Sequence, residues 1–145
     1  MTTHRFTFPV TLTKQKKGGY TVEFIDLPEA ITQGESITDA LNEAIDCLEE
    51  AIANRIIMKL DIPEPKKITA NQHSVALSAT LAAKTALYVL MREKHLSNVA
   101  LAKKLDCDEK EVRRLVDPYF QSKIIRIENA LHALGQRLEV SLTRI

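Results

Sequence analysis

The chain has 145 residues, 45% of them hydrophobic and 27% charged, with a formal net charge of +1. That balance excludes disorder as the main state, and no apolar run approaches the roughly 20 residues that span a bilayer. One domain or two small ones is the expectation at this length, with a core large enough to hold them together.

Met1–Arg5 lead into a strand-like alternation rather than the apolar block of a signal peptide. Cys47 and Cys107 form no C-x-x-C pair, so neither a disulfide framework nor a zinc knuckle is indicated. A reducing, cytoplasmic setting is the simplest one. Residues 1–74 carry eight Lys or Arg against eleven Asp or Glu, whereas residues 75–145 carry twelve against eight. An acidic half followed by a basic half suggests a separate partner for each.

Phe6, Phe8, Val10 and Leu12 alternate with Thr7, Pro9, Thr11 and Thr13, the period of a half-buried strand. Pro9 has no N–H to give a neighbour, which predicts an edge strand or a bulge. After the polar loop Lys14–Gly19, the alternation Tyr20, Val22, Phe24 completes a β-hairpin, with Tyr20 and Phe24 as core aromatics. Leu27-Pro28-Glu29 predicts a break, and Ala30–Gly34 a short third strand. Ser36 predicts a helix N-cap, with Asp39 three residues later as a weak capping box. From there Ile37, Leu41, Ala44, Ile45, Leu48, Ala51 and Ile52 recur at helical spacing, so one long amphipathic helix runs from about 37 to 57.

The proline-rich, polar stretch 63–74 is the linker candidate, dividing a domain at 1–62 from one at 75–145. Beyond it, Val75–Ser78 predicts a short strand and Thr80–Lys94 a helix. Two shorter helical patterns follow, divided at Asp106-Cys107 and stopped by Asp117-Pro118. Ser122 predicts the cap of a last helix whose apolar face is Ile124, Ile127, Leu131 and Leu134, with Gly135 as its stop. Leu138, Val140 and Leu142 alternate with polar residues, which predicts a terminal strand. The fold class is therefore α+β: a sheet with a long helix, then a helical domain ending in a short strand.

Residues 96–115 have the pattern of a helix-turn-helix. Ser97 caps the first helix, and Leu101, Ala102 and Leu105 face inward. Asp106 makes the turn, Asp108 caps the second helix, and Val112 and Leu115 anchor it. The candidate DNA contacts are Ser97 and Asn98, then Lys110, Glu111, Arg113 and Arg114, then Ser122 and Lys123 at the next helix start. Arginine suits this work because its fork donates in pairs to phosphate or guanine. Glu111 has two possible roles: accepting from a cytosine amino group, or holding Arg114 through an i, i+3 pair. The competing reading is an ordinary helical hairpin with solvated charges; Asp106 where glycine is preferred, and Glu109 and Glu111 near the phosphates, weigh on its side.

Catalytic signals are weak. Asp26, Glu29 and Glu35 cluster near strand ends, where a nuclease would hold magnesium, but loop carboxylates are common there. His4, His73, His95 and His132 lack metal-ligand spacing, and there is no P-loop, G-x-G-x-x-G or G-x-S-x-G. No enzyme activity, metal or cofactor is expected, and the cysteines read as packing residues.

The stretch G-G-Y-x-V-x-F-x-D-L-P-E-A-x-T-Q-G-E over residues 18–35, the long helix after it, Glu111–Pro118 and Ala130–Leu138 together resemble the HicB antitoxin family in its helix-turn-helix branch. The resemblance covers nearly the whole chain. Phe120 departs from it, in a segment where the family often carries a histidine. It implies a partial RNase H-like first domain that binds and masks HicA, a small basic ribonuclease that cuts mRNA. It also implies a second domain that binds the promoter of its own operon; that domain is expected to dimerise, because a lone helix-turn-helix reads few base pairs. The toxin-facing candidates are then Tyr20, Glu23, Phe24, Asp26, Pro28, Glu29, Gln33 and Glu35. Other classes are a ligand-sensing repressor of another circuit and a stand-alone nuclease.

Overall fold

In a computed structural model, which describes residues 5–145, the chain is mixed α and β. Its elements are β1 (Thr7–Lys14), β2 (Tyr20–Phe24), β3 (Leu27–Gly34), α1 (Ile37–Ile57), β4 (His73–Ala76), α2 (Ala79–Glu93), α3 (Asn98–Leu105), α4 (Glu109–Val116) and α5 (Ile124–Ala133). It divides into two compact units, Met1–Ala82 and Ala83–Ile145. His4 lies outside the described residues.

The first unit is a four-stranded antiparallel sheet in the order β3-β2-β1-β4, with α1 packed on one face. Phe8, Val10, Val22 and Phe24 point to the helix side and are buried. Pro9 is not on an edge, because β1 pairs with both β2 and β4. The last β1–β2 pair is Val10 with Phe24, so Pro9 lies opposite the turn where β2 leaves the sheet. The Pro9 carbonyl still accepts the Ile25 N–H at 3.4 Å. The missing donor therefore falls where the ladder ends and costs no regular bond. The break after β2 falls at Ile25-Asp26 rather than at Leu27-Pro28-Glu29: β3 already starts at Leu27, and the exposed Pro28 sits at its second position.

The α1 bounds agree with the sequence pattern, and so does its cap. Ser36 Oγ accepts the Asp39 N–H at 3.0 Å, while Asp39 reaches back to the Glu35 N–H at 2.9 Å. The buried face is rotated from the predicted one. It is Ala40, Ala44, Leu48, Ala51, Ile52, Ala53 and Ile56, whereas Ile37 and Ile45 are exposed. Small alanines let the helix close on β3, which the bulkier isoleucines would prevent.

The predicted domain boundary is displaced. Arg55 donates to the Asp61 carbonyl at 2.9 Å, and Asp26 accepts the Lys66 N–H at 3.0 Å. β4 then pairs with β1 from Thr7–Ala76 to Val10–His73. The stretch expected to be a linker is thus fastened to the first unit, and the strand beyond it belongs to the first unit's sheet.

In the second unit, Ala83, Leu87, Leu90 and Met91 of α2 share one core with Leu101, Ala102, Val112, Leu115, Ile127, Ala130, Leu131 and Leu134. Asp106 ends α3 in the left-handed conformation, φ 52°, where its N–H and that of Cys107 bond back to Lys103 and Ala102. Gly135, φ 79°, ends α5 in the same way. Ser122 does not cap α5; Lys123 stands at the N-cap without a side-chain bond. Ile124 is 44% exposed rather than part of the apolar face. Residues 136–145 form no strand. Leu138 packs on the core, but Val140 and Leu142 are 86% and 100% exposed. Alternation alone does not make a strand without a neighbour to pair with.

Candidate functional site

Two surfaces collect the candidate residues. On the first unit, the sheet face away from α1 carries Thr11, Glu23, Ile31 and Gln33. Register places Thr11 beside Glu23, Glu23 beside Ile31, and Gln33 beside Thr21. Ile31 is 58% exposed at its centre. Glu23, Ile31, Ile25, Pro28 and Thr11 border one shallow hollow.

The predicted partner-facing residues do not all reach this face. Glu23, Pro28 and Gln33 do. Phe24 is 3% exposed and belongs to the core instead. Tyr20 shares the helix-side parity of Val22 and is half-buried. Asp26 is committed to the Lys66 backbone. Glu29 is held by Arg55 in a two-bond pair, 2.6 and 3.0 Å, and that hydrogen-bonded guanidinium lowers the carboxyl's pKa. Glu35 is exposed beside the α1 cap. Two of the three carboxylates that could have shared a magnesium ion, Asp26 and Glu29, are thus engaged by other partners. Among the described residues no group of three His, Cys, Asp or Glu side chains could hold a metal. Sequence reasoning missed Ile31, whose place beside Glu23 is visible only once β2 and β3 pair.

On the second unit, α3, the turn and α4 carry Lys103, Lys104, Lys110, Arg113 and Arg114 among the acids Asp106, Asp108, Glu109 and Glu111. Ser97 Oγ accepts the Ala100 N–H at 3.1 Å and caps α3, with Asn98 half-buried beside it. Asp108 stands at the α4 N-cap, without a side-chain bond. Lys110, Arg113 and Arg114 are exposed along α4, and Val112 and Leu115 are buried beneath. Glu109 pairs with Arg113, the i, i+4 spacing that neighbours on a helix allow, and this hydrogen bond lowers the carboxyl's pKa. Glu111 pairs with Arg126 of α5 at 3.3 Å, not with Arg114. Arg114 instead lies over the Phe120 ring, 5.4 Å from its centroid. Ser122 Oγ accepts from the buried Lys84 at 2.9 Å, and Lys123 is exposed at the start of α5. Cys107 packs against the core, and burial with the nearby carboxylates of Glu111 and Asp108 pushes its thiol up, as burial does for Cys47. Neither is an activated nucleophile. No helix among the described residues is long and apolar enough to cross a membrane.

Residues 7–86 match the family model of HicB-like antitoxins of bacterial toxin–antitoxin systems. The chain belongs to this family. It is 32% identical to the antitoxin HicB of Escherichia coli (strain K12) over 92% of this chain and 96% of that one. It is 37% identical to antitoxin HicB 2 of Photorhabdus laumondii over 84% and 86% of the two chains. Antitoxin HicB of Pseudomonas fluorescens is 31% identical over 88% of each. As a HicB-like antitoxin, the chain has a role within a toxin–antitoxin pair, and a toxin is the partner that the family implies.

Proposed function

We propose that this HicB-like chain is a non-enzymatic, cytoplasmic antitoxin with two jobs. The first unit binds and neutralises a HicA-type mRNA ribonuclease. The second binds operator DNA as a homodimer and represses its own operon. The observation that carries the reading is the α4 surface. Three cationic side chains, Lys110, Arg113 and Arg114, stand on the exposed face of a short helix that is anchored from below and joined to α3 by a tight turn. That is what a helix entering the major groove requires.

The open sheet face supports the toxin half. An exposed apolar centre, Ile31, beside a carboxylate, Glu23, suits a basic partner with an apolar contact at its middle. The excess of acidic over basic residues in positions 1–74 agrees with it. Co-expression of the full chain with the product of the short neighbouring reading frame tests the first job. A stable complex and restored growth are expected. Titration of DNA from upstream of its own reading frame tests the second. A chain that binds neither partner overturns the proposal.

A further inference from the structure

The apolar stripe of α2 is interrupted by a lysine. Lys84 is 1% exposed, three positions after Leu81 and three before Leu87. A buried ammonium is costly unless its donors are used. All three are: Lys84 Nζ lies 2.9 Å from the Arg114 carbonyl, 2.9 Å from the Asp117 carbonyl and 2.9 Å from Ser122 Oγ. Burial pulls its pKa down to about 8, with the Asp117 charge opposing, so the ammonium remains at neutral pH. The two carbonyls stand at the end of α4, where the helix leaves acceptors unsatisfied. Lys84 therefore ties the end of α4 and the approach to α5 to the middle of α2.

The turn between α4 and α5 is shaped by the same residues. Asp117 accepts the Tyr119 N–H on its side chain at 2.9 Å and the Phe120 N–H on its carbonyl at 3.2 Å. This brings the Phe120 ring to the surface with Arg114 Cζ 5.4 Å and Lys84 Nζ 5.8 Å from its centroid, both within cation–π reach. The two arginines of α4 thus differ in support. Arg113 leans on a carboxylate, which offsets its charge. Arg114 leans on a neutral ring, which leaves its charge and its N–H fork for another acceptor.

We propose that Phe120 is a positioning residue for Arg114: its ring, anchored through the turn by Lys84, presets the guanidinium so that Arg114, rather than Arg113, reads a base in operator DNA. This deepens the DNA-binding reading above and rests on it. A stacked side chain has given up part of its rotamer freedom before it binds, so less is lost on docking.

The test uses the full-length protein, operator DNA from upstream of its own reading frame and a set of single-base-pair variants of it. Phe120→Leu is expected to weaken operator binding about tenfold. It should also flatten preference at the base pairs that Arg114→Ala flattens. Phe120→Tyr keeps the ring and should restore both. Adding Phe120→Leu to Arg114→Ala should cost nothing further, whereas adding Arg113→Ala should. The readout is the position of the lost preference, which a general loss of folding would not select; if Phe120→Leu fails to fold, Phe120→Met carries the same comparison. An unchanged preference profile, or fully additive effects of the two changes, overturns the proposal while leaving DNA binding in place. If neither arginine affects operator binding, the DNA-binding reading fails and this inference falls with it.

Discussion

Gly34, the last residue of β3, lies directly against the backbone of Ala40 in α1. A Cβ built on Gly34 would overlap the Ala40 nitrogen and Cα, and backbone atoms cannot rotate away. The contact is a close approach of the sheet to the small-residue face of α1. Gly34→Ala should therefore force the two apart and cost about 1–3 kcal/mol, the usual range for overpacking. Urea denaturation would show it as a lower midpoint; a wild-type midpoint would contradict the packing described.

Glu29 on β3 and Arg55 on α1 supply a second link between the same layers. The guanidinium lowers the Glu29 carboxyl's pKa. A depressed carboxyl contributes stability above its unfolded pKa, and that contribution disappears as pH falls through the folded one. Both groups are partly exposed, so the contribution is about 0.2–1 kcal/mol. Glu29→Gln should be slightly less stable than wild type at pH 7, and the difference should vanish in acid. Thermal unfolding across pH measures it, and a gap that persists at low pH would rule the pair out as its source.

Ile31 separates the two proposed jobs. Ile31→Asp puts a charge in the middle of the open sheet face without touching the core. Toxin neutralisation should be lost and operator binding kept, because hot spots at interface centres tolerate an unpaired charge poorly. Growth rescue and DNA titration of the same variant decide it. Retained rescue would move the toxin surface elsewhere.

Glu111 and Lys123 should act on DNA without altering which sequence is preferred. Glu111 is committed to Arg126, so Glu111→Ala removes a negative charge near the phosphates and frees a cation. Binding should tighten for every sequence alike. Lys123→Ala should weaken binding to all sequences and reduce the salt slope by about one. Titrations against operator and unrelated DNA at several salt concentrations check both, and a changed base preference in Glu111→Ala would mean that it reads a base.

The tail should pair between chains. Val140 and Leu142 are exposed in a stretch with strand periodicity that pairs with no strand among the described residues of its own chain. Two copies running antiparallel would bury both. Replacing Val140 and Leu142 together by serine should shift the protein toward monomer in sedimentation and weaken operator binding. An unchanged mass would place the dimer contact elsewhere.

The sequence by itself determined the elements whose signals are local. The cap Ser36, the bounds of α1, the stop at Gly135 and the Asp106 turn depend on a few adjacent residues and their backbone preferences. The acidic and basic halves and the family motif were legible for the same reason. Only the tertiary structure decided what each surface contains. Which face of α1 is buried was decided by its packing on the sheet, with Gly34 against Ala40 as one contact of that face. β4 was drawn into the first sheet because β1 had a free edge for it. Glu111 found Arg126, and Lys84 found three acceptors more than twenty residues away. Periodicity reports that a side chain is apolar or charged and on which face it repeats, but partners distant in sequence are chosen by packing, and that choice is what turns a pattern of charges into a site.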